Sequence, residues 1–439
     1  MADIKQELKP DTPLPLWPLF WVCLVQFLDA FSTFLIIPFI PFMVEDFFPS
    51  LPASEVGYYS GYLNSASFFG QLLGSPIYGL MSDKFGRKPV LLFGMVGTIF
   101  SLTLFAFSLN YYQAVAARFC WGFLNGNIGV VKTYVSEITD ETNIAKALGV
   151  VAMQYGFGSL LGPSIGGFLA RPAQKYALFA DSALLTRFPY VLPCTVPFVV
   201  AVSVLVGIAL FLPESRDVYA KAAEDGKAPA AATSDKTTDK TALLQPEAKS
   251  PSRLQILTSK KVYTSVVLYA VMGGVQIGFG SIFPLFMINK EADGGFDLDS
   301  SRIGLVMSAS GPVQLLWQPL CVPRLTKLLG FRRLFQCTAL FFATLVFCTP
   351  FSSLVSGVAW ARFPVLIFIW LSFTTACNTG FSTVFVLLAN SAPKQLRGTV
   401  NGMAQTCVAA TRILGPALFS NLFAWSMDHA SGWPMDYHL

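Results

Sequence analysis

Charged residues are scarce in this sequence. They make up 13% of the chain, whereas hydrophobic residues make up 54%. A soluble domain carries about 25% charged residues, so a water-soluble fold would leave most of the long apolar runs without a place to be buried. A bilayer core needs about 20 mostly apolar residues to span it, and every backbone group inside lipid must be satisfied within the protein. The composition therefore predicts an all-α polytopic membrane protein.

Histidines, paired cysteines and a signal peptide are also lacking. The two histidines, His429 and His438, lie near the C-terminus, and the eight cysteines contain no C-x-x-C pair. We therefore expect no metal site, no cofactor and no disulfide framework. The apolar run after residues 1–15 is longer than the 7–15 residues typical of a cleaved signal peptide, so we expect the first span to be retained. No enzyme constellation, such as Ser–His, paired intramembrane Asp or a metal cluster, is evident.

Eleven apolar runs are long enough to cross a membrane. The predicted spans are 16–44, 58–81, 90–109, 111–137, 146–170, 189–212, 262–288, 303–323, 334–354, 361–388 and 399–427. The predicted organisation is an N-terminal tail (1–15), a six-helix bundle (16–212), a linker (213–260), a C-terminal bundle with five helices (261–427) and a tail (428–439). The linker is rich in Ala, Lys, Thr, Asp and Pro and buries too little to order itself.

Basic residues set the expected orientation. Lys84, Arg87 and Lys88 follow span 2, whereas the loops after spans 1 and 3 contain no Lys or Arg. The loops after spans 5 and 7 are exceptions to this asymmetry and contain Arg171, Lys175, Arg187, Lys290 and Arg302. Because basic loops stay in the cytoplasm, we expect a cytoplasmic N-terminus and linker. The inner end of the molecule is therefore the end with the 79–88 turn, and the outer end is the opposite one. The net charge of +5 fits basic inner loops and predicts no nucleic-acid partner.

The two bundles repeat one another in sequence. "ARF" occurs at 117–119 and again at 361–363, and Gly86 and Gly330 share the same shift of 244 residues. Repeated halves around a site at the bilayer midplane are typical of transporters.

Asp29 lies near the middle of span 1, where a carboxylate costs about 2.5–3.5 kcal/mol even on the mildest scale. We interpret it as a proton carrier, and a structural ion pair is the alternative. Its predicted partner is Arg118 in span 4, which recurs with Asn125 and Lys132 every seven residues. Arg118 could instead be a structural clamp, and Lys132 could reach the inner surface with its long side chain.

Other polar residues inside the spans are candidates for a substrate cavity. Arg412 in span 11 is a second intramembrane cation that could contact an anionic or zwitterionic substrate, or pair with a carboxylate. Residues of this kind are as well suited to bridging helices. The candidate cavity set is Gln26, Asn125, Lys132, Gln154, Gln276, Asn378, Gln405 and Arg412.

Three motifs carry a resemblance to a known family. "GLMSDKFGRK" (79–88) resembles the signature between helices 2 and 3 of the major facilitator superfamily, and "RFCWGFLNG" (118–126) resembles its helix-4 arginine motif. Span 5 matches the pattern found in antiporters of the superfamily, at Gly149, Gly158, Gly162, Pro163, Gly166 and Gly167. The wider sequence is similar to the zinc-induced-facilitator-like transporters of the drug–proton antiporter branch.

The resemblance implies a major facilitator fold of two pseudo-symmetric six-helix bundles. It also implies a proton-coupled antiporter that exports or sequesters a small organic solute; a symporter, a uniporter or a non-transporting sensor is the alternative. Two features depart from the family: the Cys-Pro-Gly-Cys of plant members is missing, and the residues after span 11 are too short and polar for a twelfth helix. We expect a monomer, with protons and a small molecule as its only partners besides lipid.

The 79–88 motif implies a gating latch at the inner end. By resemblance, Asp83 contacts the start of span 11 at 397–401, and Arg87 pairs with Glu137 or Asp140. The latch comprises Gly79, Asp83, Lys84, Gly86, Arg87, Lys88 and Glu137. "DKTALL" (239–244) fits a dileucine sorting signal and favours a vacuolar or endolysosomal membrane over the plasma membrane.

Overall fold

The computed structural model describes residues 12–139, 143–215, 259–291, 295–355, 357–389, 391 and 397–428, and these contain helices and no strand. The spans are Leu16–Leu35 with Ile40–Phe47 (1), Ala53–Phe85 (2), Arg87–Ala106 (3), Tyr111–Leu124 with Asn127–Ile138 (4), Ile144–Leu169 (5), Val191–Phe211 (6), Lys260–Ile288 (7), Ser300–Ser308 with Ser310–Cys348 (8 and 9), Ala359–Ala389 (10) and Arg397–Asp428 (11). Short helices connect some of them: Pro172–Lys175, Ala177–Phe179, Ala183–Arg187 and Pro350–Val355.

Seven of the described helices are long and apolar enough to cross a membrane. One of the seven, Ser300–Cys348, contains both predicted spans 8 and 9. The predicted spans 2, 4 and 5 are also helical, although they are more polar or interrupted. The all-α class and the membrane assignment are therefore confirmed, and the predicted linker lies almost wholly outside the described residues.

Span 4 is broken at its middle, which corrects the prediction of one continuous helix. The first part ends at Leu124 and the second begins at Asn127. Gly126 lies against the ring of Tyr78, where an added Cβ would come within 2.1 Å of a ring carbon. Of the predicted stripe, Arg118 therefore lies in the first half-helix, Asn125 in the break and Lys132 in the second half-helix.

The turn after the second span of each half is the same in both halves. Gly86 ends span 2 with φ 98°, and Gly330 separates spans 8 and 9 with φ 72°. With ψ of 169° at Gly86 and 161° at Gly330, both residues adopt a conformation that is essentially restricted to glycine. The matched geometry supports the predicted sequence repeat.

The two halves meet at the outer end along two seams. In the first, span 2 packs on span 11, and a Cβ added to Gly61 would lie 2.8 Å from the carbonyl oxygen of Pro416. In the second, span 5 packs on span 8, and a Cβ added to Gly167 would lie 2.2 Å from the carbonyl oxygen of Ser300. Because glycines let backbones approach this closely, the two halves are in direct contact along both seams.

Candidate functional site

A central cavity lies between the two halves, below the outer seams. It holds about 650 Å³ of space between atoms, part of it continuous with solvent. Six spans, three from each half, contribute its walls: Thr33, Phe34, Ile37, Asn64, Phe68, Tyr155, Ser159, Gln276, Ile277, Gly280, Ser310, Gln314, Trp370, Phe373, Thr374 and Asn378. The walls combine aromatic rings with amide and hydroxyl groups, as is typical of small-molecule sites.

Only two residues of the predicted cavity set line this space. Gln276 borders it from span 7, and Asn378 borders it from span 10 while donating to the Gln314 side-chain oxygen at 3.1 Å. Asn64 in span 2 was missed, although its amide donates across the halves to Ser281 at 2.7 Å. Trp370 was missed because an aromatic residue in an apolar run carries no signal that separates a cavity wall from a core.

Asp29 lies one helical turn before the cavity wall. It is half-buried, and its carboxylate accepts a hydrogen bond of 2.5 Å from the Asn125 side-chain amide. The hydroxyl of Thr33, which borders the cavity, donates to the Asp29 backbone carbonyl at 2.8 Å. The predicted acid is therefore close to the space in which a solute would bind.

Arg118 is buried near Asp29 without forming a direct ion pair with it in this structure. Its guanidinium donates to Ser67 at 2.9 Å and lies 5.0 Å from the Trp121 ring centroid. Asn125 holds the carboxylate instead, while Arg118 remains within electrostatic range of it. The Asp29–Arg118 pair stays a prediction for another conformation.

A second cation, Arg412, approaches Asp29, and a third, Lys132, lies within electrostatic range of Arg412. Arg412, from the other half, is within electrostatic range of Asp29, and its buried Nε has no hydrogen-bond partner among the residues that the structure describes. Lys132 is exposed, and its Nζ lies 5.8 Å from the ring centroid of Phe385 in span 10. Positive charge therefore exceeds negative charge around Asp29.

Three predicted cavity residues lie elsewhere. Gln26 is 8% exposed, and its side-chain oxygen has no partner within the described ranges. The Gln154 amide donates to the carbonyl of Val150 in its own helix at 3.3 Å, and the Gln405 amide donates to the Tyr269 hydroxyl at 3.1 Å. None of the three borders the central cavity.

The span 5 motif divides between two partners. Three of its glycines, Gly158, Gly162 and Gly166, pack on span 1 just after Asp29, at Ala30 to Leu35. Gly167 packs on span 8, as does Pro163, whose carbonyl oxygen would lie 2.3 Å from a Cβ added to Gly304. An added Cβ at Gly149 would meet nothing within 4 Å.

Arg87 is the centre of the latch at the inner end. Its guanidinium is 2.7 Å from both Asp83 and Glu137 and donates to Ser82 at 2.9 Å. Asp83 is 71% exposed. Its expected contact is with residues 397–401, most of whose side chains lie outside the described part of the chain. Asp140, the alternative partner expected for Arg87, also lies outside it.

The remaining latch residues have different surroundings. Lys88 donates to the Ala209 carbonyl at 2.9 Å, and the Lys84 Nζ lies 5.3 Å from the Phe85 ring centroid. A Cβ added to Gly79 would meet nothing within 4 Å.

Glu214 belongs to this cluster and was missed from the sequence. Its carboxylate accepts from the backbone N–H groups of Arg87 at 2.7 Å and Lys88 at 3.0 Å. It thereby satisfies the free donors at the start of span 3, where a helix favours negative charge. The sequence did not predict this contact, because nothing around Glu214 indicates a partner as distant as Arg87, which is 127 residues away.

The chain matches known proteins over most of its length. Residues 22–416 match the model of the Major Facilitator Superfamily. Zinc Induced Facilitator-like 1 of Arabidopsis thaliana is 29% identical over 94% of this chain and 85% of its own. A major facilitator superfamily multidrug transporter of Aspergillus fumigatus is 28% identical over 94% and 79%. The crystal structure of a D-xylose–proton symporter superposes with a TM-score of 0.67 and 16% identity over 93% and 90%. The chain belongs to the major facilitator superfamily, and its sequence is similar to that of the zinc-induced-facilitator-like and multidrug transporters.

Proposed function

We propose that this protein is a proton-coupled antiporter that exports or sequesters a small organic solute by alternating access. The observation that carries the proposal is Asp29, a carboxylate inside span 1 beside a cavity shared by both halves. An acid at this depth is expensive unless it is protonated or compensated. Its position lets proton and solute compete for one site.

The cavity and the outer seams support alternating access. The cavity has walls from both halves, so a movement of one half against the other changes its shape and exposure. The seams close it at the outer end, and they consist of inter-half contacts that can separate together. One binding space with one sealed end is what this mechanism requires.

Competition between proton and solute for Asp29 supports antiport over symport. The Asp29 carboxyl group is held by Asn125, with Arg118 and Arg412 nearby. A solute that donates a hydrogen bond to the ionised form expels the proton, and a proton that neutralises Asp29 weakens that bond. The span 5 pattern, which resembles that of antiporters, and the similar multidrug transporter agree with this direction.

Proton symport is the second candidate, and the excess of positive charge favours it for an anionic solute. Protonation of Asp29 removes the negative charge that balances Arg412. Arg412 is then available to an anion, so proton and anion bind together and not in competition.

Flux measurements in proteoliposomes test both candidates. A panel of small organic solutes is screened first, and transport is then compared under proton gradients of opposite direction. Antiport predicts solute uptake into vesicles with an acidic interior, because protons leave as the solute enters. Symport predicts solute uptake when the exterior is acidic. Asp29→Asn should abolish the response to the gradient, while Asp181→Asn, in the exposed loop after span 5, should leave it intact. Flux that ignores both gradients contradicts proton coupling.

The membrane and the oligomeric state belong to the same proposal. We expect a monomer in a vacuolar or endolysosomal membrane, with the plasma membrane as the alternative. The "DKTALL" signal behind this preference lies outside the described residues, and its replacement by alanines with fluorescence localisation would test it.

A further inference from the structure

Lys175 connects the two halves at the outer end. It ends the short helix Pro172–Lys175, which follows span 5. Its Nζ donates to the Gly167 carbonyl at 2.7 Å, to the Ser300 hydroxyl at 2.7 Å and to the Ser301 hydroxyl at 2.9 Å. The ammonium has three donors, and all three are used: one on its own half and two on the other.

The two serines also contact the same carbonyl. The Ser300 and Ser301 hydroxyls donate to the Gly167 oxygen at 3.2 and 3.3 Å. The end of span 5, the start of span 8 and the Lys175 ammonium therefore form one closed cluster. A cation at the end of a helix is favourable, and here that helix is span 5.

The charge of this cluster is not neutralised directly. Among the described residues, no carboxylate lies within 4 Å of the Lys175 Nζ. Burial lowers the pKa of Lys175 to about 8, Asp299 opposes this shift, and Arg171 adds to it. At neutral pH the ammonium is thus largely charged, partly removed from water, and stabilised by oxygen atoms that carry no net charge.

Arg171 fixes the loop that carries Lys175. Its guanidinium donates to Asp46 at 2.7 and 3.0 Å and to the Phe42 carbonyl at 2.7 Å, and its backbone N–H donates to Pro189 at 3.0 Å. These partners all belong to the N-terminal half. Lys175 therefore moves with that half, whereas Ser300 and Ser301 move with the other.

We propose that Lys175 is a register lock of the outer gate, because its ammonium, once it is removed from water, is accommodated only when acceptors from both halves meet around it. In the closed gate the three acceptors replace the water that the ammonium loses. A partly closed gate offers fewer acceptors while still excluding water, so it is disfavoured. On opening, the ammonium returns to water.

The lock predicts an asymmetry between two kinds of substitution. Ser300→Ala with Ser301→Ala leaves a desolvated ammonium without two of its three acceptors, which is costly for a charged group. Adding Lys175→Met removes the charge that needed them and leaves an apolar side chain of similar length. The second change should therefore repair the first.

Hydrogen exchange measured by mass spectrometry on the full chain in lipid nanodiscs at pH 7 tests the lock. The Ser300→Ala/Ser301→Ala variant should exchange about tenfold faster at both seams, as expected for the loss of hydrogen bonds to a charged group. The span 2–span 11 seam is decisive because the hydrogen bonds of Lys175 do not reach it. Adding Lys175→Met should restore wild-type exchange at both seams. Lys290→Met, at an exposed position, is the matched control, and span 3 peptides are the internal reference.

Three results would overturn the lock. Unchanged exchange in the double serine variant would mean that the acceptors do not hold the gate. Faster exchange limited to spans 5 and 8 would indicate a local contact only. Fast exchange that persists after Lys175→Met would assign the effect to the serines themselves.

Discussion

Two glycines of the span 5 motif should respond in opposite ways to the same substitution. A Cβ on Gly166 would lie 1.8 Å from the Leu35 carbonyl oxygen, whereas a Cβ on Gly149 would meet nothing within 4 Å. Carbon and oxygen in such contacts approach to about 3.3 Å, so Gly166→Ala must separate spans 1 and 5 by about 1.5 Å. Overpacking of this kind costs on the order of 1–3 kcal/mol, and sometimes more.

Gly149→Ala should have the reverse sign. It adds no clash, and alanine favours a helix interior over glycine by about 1 kcal/mol. Because the Leu35 segment continues from Asp29, the Gly166→Ala displacement should also reduce transport, while Gly149→Ala keeps it. Thermal unfolding in detergent and solute flux in proteoliposomes measure the two effects. Equal losses in both variants, or a silent Gly166→Ala, would refute the packing assignment.

Two further predictions concern the turn and the gate. Gly330→Ala should lower the free energy of unfolding by about 1–3 kcal/mol, because φ of 72° with ψ of 161° is a conformation essentially restricted to glycine, although no neighbour is near. Thermal denaturation measures this, and equal stability of Gly330→Ala would contradict the strain argument. Raising the pH from 7 to 9.5 should favour the closed outer gate. In the closed gate the pKa of Lys175, which Asp299 and Arg171 also influence, is about 8, whereas its ordinary value is 10.5. The closed gate therefore binds fewer protons than the open gate, and a higher pH favours the state that binds fewer. The distance between spin labels placed at positions 181 and 290 should shorten at the higher pH, and Lys175→Met should remove this pH response. A longer distance at pH 9.5 would contradict the predicted direction.

The sequence predicted the parts of this molecule that depend on composition or on a local pattern. The apolar runs became helices, and the shift between Gly86 and Gly330 became the same turn in both halves. Asp29 was identifiable as a candidate site residue because a carboxylate is rare inside a membrane span. Each of these inferences needs only the chain around one position.

The cavity walls and the Lys175 lock depend on how distant helices pack together, and the sequence does not show which helices do so. Phe34, Trp370 and Phe373 look like ordinary core residues until six spans are placed around one space. Lys175 counted only as an exception to the charge asymmetry of the loops, and its partners Ser300 and Ser301 come from the other half. The prediction of one continuous helix for span 4 was wrong, because a seven-residue spacing in the sequence carries no signal of a break.

The break in span 4 has an electrostatic consequence at the middle of the membrane. An uninterrupted helix keeps its end charges at the two surfaces, whereas a divided one brings a C-terminal and an N-terminal end together inside. The Tyr78 hydroxyl donates to the Leu124 carbonyl, and the partial positive end of Asn127–Ile138 begins two residues after Asn125, whose amide holds Asp29. A helix end of this kind carries roughly half an elementary charge. The backbone therefore contributes to the electrostatic environment of Asp29 together with Arg118 and Arg412, and no single side-chain substitution can remove that contribution.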